Sequence, residues 1–311
     1  MHVIRHLEEL PPEARGGAVA IGNFDGVHKG HARIVAQLLR RSREVGGSAV
    51  VFTFDPHPVR ILRPEQSPAP LTWTERKAEL LAQLGVDWIV AYPTDEALLQ
   101  LSASEFFERI VRNALAARAM VEGPNFYFGH NRAGTIDVLR KLTAAAGITL
   151  DIAQPVEVGG QIVSSSRVRQ LIGSGDVAAA CQMLTAPYRI RGIVTHGAGR
   201  GARLGFPTAN LEGVDTILPA HGVYAGRGWI DGLSWPAAIN IGPNPTFGEA
   251  AAKVEAHLVN FHDALYGKPL EIDFLARLRG TRPFASAQEL ITQIRHDVAE
   301  AEKLVRERQA N

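Results

Sequence analysis

The stretch AVAIGNFDGVHKGH, residues 18–31, decides how the first half of the chain folds. AVAIG is a short apolar run that ends in glycine, as expected of a buried strand. A helix is predicted to begin near Lys29, because apolar residues recur at helical spacing over 34–39. The stretch therefore predicts a strand, a glycine-rich turn and a helix whose start carries His28 and His31 about one turn apart.

The alternation of strand and helix continues to about residue 186. Further apolar runs predict strands at 48–54, 87–93, 119–123 and 148–155. Helical patterns separate them, and two of these follow capping-box spacings, Thr72 with Glu75 and Ser102 with Glu105. The pattern predicts an α/β domain of Rossmann-like type, a parallel sheet with helices on both faces, over residues 1–186.

The pattern changes after Pro187. Strand-like runs occupy 188–197, 222–230, 233–242, 253–261 and 270–279, with Gly, Pro and Asn turns between them and no long helix. Such spacing predicts a small antiparallel β-barrel over residues 187–311. A terminal helix is predicted to begin at Ser286, whose spacing to Glu289 again fits a capping box.

Composition narrows the classes of function. The formal net charge of +1 is too balanced for a protein whose main partner is nucleic acid. The single cysteine, Cys181, excludes an intramolecular disulfide and a zinc site built on several thiolates. No apolar run approaches the roughly 18 residues that indicate a membrane span, and the first residues lack a secretion pattern. We expect a soluble cytoplasmic protein that acts on small molecules, with no membrane partner; the sequence indicates no oligomeric state.

The turn between the first strand and helix has the chemistry of a phosphate site. The first N–H groups of a helix have no internal partners, and glycines let a bulky anion approach the backbone. The candidate phosphate ligands in this turn are Gly22, Asn23, Asp25 and Gly26, beside His28 and His31. Two alternatives remain at this point: one histidine packs or caps the helix, or the pair chelates a metal, although no convincing third ligand follows.

The motif H-x-G-H on a strand–helix turn resembles the nucleotidylyltransferase superfamily. The longer string G-N-F-D-G-V-H-x-G-H resembles the adenylyltransferase half of the bifunctional riboflavin kinase/FAD synthetase family. The resemblance implies that His28 and His31 are catalytic, binding ATP phosphates and stabilising charge on the α-phosphate and the leaving pyrophosphate. No covalent nucleophile is implied, so catalysis would rest on positioning and electrostatics.

Four more stretches resemble this family in the same order: 53–58, 71–87, 122–129 and 163–169. The last, VSSSRVR, offers hydroxyl donors and a fixed charge for triphosphate oxygens. Its candidate ligands are Ser164, Ser165, Ser166 and Arg169, with Ser166 where threonine is usual. Candidate flavin contacts are Phe54, Asn125 and Phe128; ordinary core packing is the alternative for both phenylalanines.

A second candidate site lies in HGAGRGARLGFPTAN, residues 196–210. This flexible basic loop can wrap phosphates with backbone N–H groups, and its candidate ligands are Gly197, Arg200, Gly201 and Gly205. A nucleic-acid patch is the alternative, but few aromatic residues are interleaved. The string G-F-P-T-A-N resembles the signature of riboflavin kinase. Thr208 and Asn210 would share one face of an extended segment and offer neutral oxygens to Mg²⁺ held jointly with ATP phosphates.

Glu255 is the candidate catalytic base of the second site. It lies in VEAHL, which resembles the V-E-x-H-L string that carries the family's catalytic glutamate; a solvent-facing carboxylate is the alternative. Asn240 and Arg279, in blocks that also resemble the family, are candidate flavin contacts. The chain departs from the family at Ala198, Asn260 and Thr281, where acidic residues are common, and these changes remove negative charge around the kinase loops. Thr208, Asn210 and Glu255 are intact, so kinase activity is expected to survive.

Taken together, the resemblances imply two reactions in sequence. The second domain would phosphorylate riboflavin to FMN with ATP and Mg²⁺, and the first would transfer AMP from a second ATP to FMN, giving FAD. Two other hypotheses stay open from the sequence. One is nucleotidyl transfer to a different phosphorylated metabolite, and the other is a flavin-binding regulator without turnover.

Overall fold

The computed structural model describes residues 2–62, 65, 67–242 and 253–310. The chain divides into two compact units. The first comprises Met1–Pro68 and Trp73–Ser164, and the second comprises Ala69–Thr72 and Ser165–Asn311.

A six-stranded sheet forms the centre of the first unit. Its strands are β1 (His2–Ile4), β2 (Ala18–Ile21), β3 (Ala49–Asp55), β4 (Trp88–Pro93), β5 (Ala119–Glu122) and β6 (Thr149–Ile152). Their order is β1-β4-β3-β2-β5-β6, and every neighbouring pair is parallel. A separate short hairpin consists of β7 (Glu157–Val158) and β8 (Gln161–Ile162).

Helices connect these strands. They are α1 (Lys29–Glu44), α2 (Pro58–Leu62), α3 (Thr74–Gln83), α4 (Glu96–Gln100), α5 (Ala103–Phe106), a π-helical continuation (Phe107–Ala114) and α6 (Ile136–Ala146). Short 3₁₀ turns occur at Leu7–Glu9, Pro12–Ala14 and His130–Arg132. Consecutive residues Val50, Val51 and Phe52 of β3 are all fully buried, as in a parallel strand covered on both faces. The predicted Rossmann-like sheet is thus confirmed.

The two predicted capping boxes in this unit have different outcomes. Ser102 caps α5, and its reciprocal partner Glu105 accepts from the Ser102 N–H, as predicted. The prediction that Thr72 caps the next helix is wrong. Helix α3 begins at Thr74, and its N-cap is the buried Trp73, which accepts no hydrogen bond through its side chain. The Thr74 hydroxyl instead donates to Asp55 Oδ2 at 2.7 Å, which fixes the start of α3 at the end of β3.

The second unit is built on a closed antiparallel barrel. Its strands are β9 (Tyr188–Thr195), β10 (Ala209–Glu212), β11 (Gly222–Ile230), β12 (Leu233–Gly242), β13 (Lys253–Leu258) and β14 (Pro269–Arg279). Around the barrel their order is β10-β13-β12-β11-β14-β9. The unit's helices are α7 (Ser165–Ser174), α8 (Val177–Met183), α9 (Arg200–Arg203) and α10 (Ala287–Ala310). The predicted barrel and terminal helix are confirmed, and α10 packs on β11, β12 and β14.

Helices α7 and α8 belong to the second compact unit, since α8 packs against β9 and β14. Arg169 of α7 also donates to the carbonyl of Ala69 within this unit, at 3.2 Å. The units therefore divide at Ser164, whereas the sequence places the domain boundary at 186/187, which stays a prediction. Among the described residues, no helix has both the length and the apolar character needed to cross a membrane.

Gly226 of β11 lets the barrel close. A Cβ at this position would lie 2.0 Å from the carbonyl oxygen of Asp273 and 2.6 Å from Ile239, closer than atoms can approach. We expect Gly226→Ala to lower the free energy of unfolding of the second unit by at least about 2 kcal/mol. Urea denaturation followed by circular dichroism measures this.

Gly173 of α7 provides the matched control in the same unit, because a Cβ there would meet no atom within 4 Å. Gly173→Ala should be neutral or stabilising by up to about 1 kcal/mol. Equal unfolding midpoints for the two variants would contradict the close approach at Gly226.

Candidate active sites

The sheet order of the first unit places a crevice between β2 and β5. Strand order reverses at this point, and ligands of such sheets bind outside the carboxyl ends of the strands. The ladder between β2 and β5 stops after Val19. Beyond it, the buried carboxyl of Glu122 accepts a hydrogen bond from Ile21 N at 2.9 Å. Burial raises the pKa of Glu122 well above its ordinary value, against the opposing effect of the hydrogen bond from Ile21.

The turn after β2 has an unusual backbone. Phe24, Gly26 and Val27 have φ angles of 46°, 83° and 38°, in the left-handed region that side chains rarely adopt. Phe24 and Val27 are nevertheless buried, at 3% and 0% exposure. Burial of these two apolar side chains stabilises the strained backbone, which leads the chain directly into α1.

His28 and His31 cap α1 reciprocally. His28 Nδ1 accepts from the His31 N–H and His31 Nδ1 accepts from the His28 N–H, each at 3.3 Å. The two rings stack with centroids 3.6 Å apart and planes 14° from parallel. Because both Nδ1 atoms are acceptors, each neutral ring carries its proton on Nε2. The histidines therefore offer two N–H donors from a fixed orientation at the helix start.

Burial keeps this pair neutral. It lowers the pKa of His28 to about 4, against opposing effects of a backbone hydrogen bond and Asp25. Burial, His28 and Lys77 all lower the pKa of His31. Gly30 leaves room for the stack, since a Cβ there would lie in tight contact with the His28 ring, at 3.0 Å. The two rings can therefore donate hydrogen bonds near neutral pH without carrying formal charge.

This geometry bears on both alternatives from the sequence. His28 does cap the helix, and the cap orients its ring. The capping alternative is therefore compatible with phosphate binding by the same ring, which stays a prediction. Within the described part of the chain, no cluster of three or more His, Cys, Asp or Glu residues could hold a metal ion.

The other predicted phosphate ligands of the first site are distributed over both units. Asn23 Oδ1 is a buried acceptor without a hydrogen-bond partner among the described residues, and Asp25 is 6% exposed. Ser164 ends the first unit, whereas Ser165, Ser166 and Arg169 lie in α7 of the second. Phosphate binding by all of these residues stays a prediction.

The predicted flavin contacts of the first unit have unequal exposure. Phe128 is 6% exposed and stacks on Phe126 at 5.4 Å, so it contributes to the core. Phe54 is half-buried beside Phe52, and Asn125 is exposed.

Sequence analysis missed an exposed aromatic in the same segment. Arg132 lies over the ring of Tyr127 at 4.4 Å, and Tyr127 is 45% exposed. The aromatic run FYF at 126–128 is the signal that could have indicated it. Flavin binding by this segment stays a prediction.

The second unit brings its predicted polar residues together across three strands. In the barrel register, Asn210 of β10 and Asn240 of β12 both pair with Glu255 of β13. The residues on either side of Glu255, Val254 and Ala256, are buried. Alternation therefore directs Glu255 and both asparagines to the opposite face from the barrel core. On this face they line one cavity of about 170 Å³.

Most of the other candidate residues of this unit line the same cavity: Arg200, Gly201, Thr208 and Arg279. Gly197 makes room for Asn210, since a Cβ there would lie 2.2 Å from Asn210 Nδ2. Gly205 ends the turn after α9 at φ +88. Thr208 and Asn210 offer neutral oxygens on one face, a donor set that suits Mg²⁺ whose remaining ligands are phosphate oxygens and water.

The wall of the cavity includes residues that sequence analysis missed. His257 lies two positions after Glu255 on the same face, and its Nδ1 is 2.8 Å from the Pro207 carbonyl oxygen. Helix α10 contributes an apolar wall, which comprises Leu290, Ile294 and Val298. The alternation of VEAHL could have indicated His257, whereas the position of α10 is set by long-range packing.

Arg279 joins the barrel to this wall. Its guanidinium donates to the buried Asp297 of α10, with Nε and Nη2 at 3.0 and 2.8 Å from Oδ2. A flavin contact by Arg279 stays a prediction.

Two of the three residues that depart from the family pattern lie at the barrel cavity. Ala198 and Thr281 line the cavity, so it lacks two negative charges there. Asn260 has φ 60, a left-handed conformation that asparagine tolerates well. The family-like block at 240–247 is described only as far as Gly242, and its remainder lies outside the described residues.

Comparison with known proteins assigns the chain to a family. A family model of FAD synthetase matches residues 10–167, and one of riboflavin kinase matches residues 184–305. A bifunctional riboflavin kinase/FMN adenylyltransferase from Pseudomonas fluorescens is 40% identical over 98% of both chains. The chain belongs to the bifunctional riboflavin kinase/FMN adenylyltransferase family. The resemblance drawn from the sequence motifs is thereby confirmed.

Other members of this bifunctional family match over similar lengths. The Escherichia coli K12 protein is 33% identical over 94% of both chains, and the Bacillus subtilis protein is 32% identical over 97% of this chain and 96% of its own. A crystal structure described as a macrolide-efflux protein from Streptococcus pneumoniae is 29% identical, with a TM-score of 0.85 over 97% of this chain and 98% of that one. Both units of the fold are thus shared with a solved structure.

The neutral histidine pair predicts a pH dependence of local stability. Unfolded histidine binds a proton near pH 6.5, but folded His28 does so only near pH 4. Between these values the unfolded state binds more protons, so acidification from pH 7 to 5 should destabilise α1 by on the order of 2 kcal/mol. Hydrogen exchange of peptides covering 18–44, corrected for intrinsic rates, measures this.

His28→Asn is the informative variant, because asparagine can still cap the helix but does not titrate. Its pH dependence should be shallower than that of the wild type, with a residual slope from His31. An unchanged slope would show that His28 does not contribute.

Proposed function

We propose that the two sites act in turn on one flavin: the barrel site phosphorylates riboflavin to FMN, and the histidine site adenylylates FMN to FAD. The observation that carries the proposal is that each family motif forms its own site, the stacked histidines in the first unit and the Asn210–Glu255–Asn240 row in the second. Both reactions are those named for the family's members.

In the kinase step, Glu255 acts as the general base. It takes the proton from the ribityl 5′-hydroxyl while that oxygen bonds to the γ-phosphorus of ATP, and ADP leaves. The apolar residues of α10 offer a surface for the flat flavin ring. The glycines and Arg200 of the basic loop bind the nucleotide phosphates.

In the adenylyl-transfer step, a phosphate oxygen of FMN bonds to the α-phosphorus of ATP while the bond to pyrophosphate breaks. His28 and His31 donate their Nε2–H groups to the phosphate oxygens as negative charge develops. The donors are fixed before the substrate binds, so they need no reorganisation during the reaction. No covalent enzyme intermediate is required.

Thr208 and Asn210 would hold Mg²⁺ together with the phosphates of the kinase-site ATP. When bound, Mg²⁺ supplies positive charge that offsets the phosphate charge. ATP is a co-substrate of both steps, and riboflavin, FMN and FAD are substrates or products. A cytoplasmic location is part of this proposal, since ATP and riboflavin meet there.

The two competing hypotheses fit the site residues less well. Nucleotidyl transfer to an unrelated metabolite would give no function to Asn210, Glu255 and Asn240. A regulator without turnover needs no carboxylate beside Asn210 and Asn240, yet Glu255 is retained between them.

The division of labour predicts opposite selective losses. His31→Ala should lower FAD formation from FMN by roughly a hundredfold or more, because it removes one donor and the reciprocal cap. Riboflavin phosphorylation should be unchanged. Chromatography of the fluorescent flavins, with riboflavin or FMN supplied separately, measures both rates.

Glu255→Gln is the matched variant for the other site. It keeps the side-chain size but loses the base, so FMN formation should fall by about a hundredfold or more while FAD formation from FMN persists. A folded variant that loses both activities would contradict the proposed division.

The metal ligands predict a specific response to magnesium. Asn210→Ala should raise the Mg²⁺ concentration needed for half-maximal FMN formation by roughly tenfold, since one oxygen ligand is lost. Asn125→Ala, at an exposed residue of the first unit, should leave this value unchanged. Equal magnesium curves for Asn210→Ala and wild type would remove Asn210 from the metal site.

A further inference from the structure

Lys77 is a buried cation connected to the histidine turn. It lies in α3 and is 7% exposed. Its Nζ donates to the Thr53 hydroxyl at 3.2 Å, and that hydroxyl donates to the Asn23 carbonyl oxygen at 3.1 Å. The ammonium is thus one side chain away from the backbone of the turn that carries the predicted phosphate ligands.

The hydrogen bonds of Lys77 leave its charge poorly compensated. Thr53 supplies a neutral oxygen, and among the described residues no carboxylate forms an ion pair with Nζ. Asp25 and Asp55 lie near enough to stabilise the ammonium at longer range. Asp55, however, already binds Arg5 at 3.0 Å and the Thr74 hydroxyl at 2.7 Å. A desolvated ammonium that carboxylates stabilise only at longer range is stabilised further when an anion binds directly beside it.

The residues of the histidine turn and the neighbouring Arg76 do not provide equivalent buried charge, so the other fixed charge predicted for this site is Arg169 of α7. His28 and His31 are neutral near pH 7 for the reasons given above. Arg76, the neighbouring buried cation on α3, is paired with Glu79 at 2.6 Å. Lys29 is exposed. A triphosphate bound at the turn would therefore meet neutral donors from the histidines, and Lys77 is a buried cation connected to that turn by hydrogen bonds.

We propose that Lys77 is a further phosphate-binding residue of the adenylyl-transfer site, whose ammonium pairs with the phosphates of ATP and with the pyrophosphate that leaves. This assignment rests on the proposed function of the histidine site. In the complex, the ATP phosphates would lie beside the buried ammonium of Lys77. Its charge would then stabilise the negative charge that accumulates on the phosphates during the reaction.

The assignment predicts a pH dependence. Burial lowers the pKa of Lys77 from 10.5 in the free enzyme, and an adjacent phosphate would raise it again. Lys77 binds phosphate only when protonated, so kcat/KM for ATP should decrease as pH rises through the free-enzyme pKa. Arginine stays charged over this range, so Lys77→Arg should lack the alkaline decrease.

The test uses the full chain with FMN and Mg·ATP in the forward direction and FAD with inorganic pyrophosphate in reverse. The reverse reaction reports on this site alone, because the kinase does not use pyrophosphate. Lys77→Met should raise KM for both ATP and pyrophosphate by roughly tenfold or more, and Lys77→Arg should restore part of the loss. Lys141→Met, an exposed lysine of the same unit, is the matched control and should not change either value.

Three outcomes would overturn the assignment of Lys77 as a phosphate-binding residue. Unchanged kcat/KM for both substrates in Lys77→Met, or an alkaline decrease that persists in Lys77→Arg, would overturn the assignment. A lower melting temperature with normal KM values would also overturn it, since Lys77 would then only stabilise the fold. If Lys77→Met does not fold, Lys77→Arg and its pH profile decide the matter. Wild-type protein that forms no FAD from FMN and ATP would instead refute the proposed function itself.

Discussion

The nucleotide chemistry of the first unit depends on one exchange of hydrogen bonds at the start of α1. His28 and His31 each accept a backbone N–H through Nδ1, which leaves both Nε2–H groups as donors. The exchange requires neutral rings, and burial enforces that state by lowering the pKa of His28 to about 4. Gly30 also favours the arrangement, because a Cβ there would lie in tight contact with the His28 ring, at 3.0 Å. In the proposed function, the interaction that satisfies these backbone N–H groups also fixes the two donors before the substrate binds.

In the second unit, strand register fixes the positions of the candidate site side chains. Antiparallel pairing fixes Asn210, Glu255 and Asn240 in a row, and the period of two directs them away from the barrel core. Each side chain sits on a strand held on both sides, so its position does not depend on a mobile loop. Glu255, the proposed base, lies between two neutral amides, which can orient a hydroxyl without competing for its proton.

The sequence predicted those parts of the fold that local pattern specifies. The strand–turn–helix of residues 18–44, the barrel and the motif residues around Glu255 follow from periodicity, glycine placement and family resemblance. The N-cap of α3 did not follow, because burial of Trp73 overrides the capping spacing of Thr72. Lys77 and Asp297 were also missed. The hydrogen bonds that position them join Lys77 to Thr53, 24 positions away, and Asp297 to Arg279, 18 positions away, and no local pattern encodes either one.

The two proposed sites would balance the negative charge of bound phosphates in different ways. The barrel site exposes a carboxylate to a cavity whose rim contains Arg200, Arg279 and Arg282, and Ala198 and Thr281 keep further negative charge out of it. The proposed histidine site instead combines the neutral donors of His28 and His31 with the buried ammonium of Lys77. A kinase base must remain ionised beside phosphates, which favours a solvated cavity, whereas a site that transfers adenylyl without a base benefits from exclusion of water.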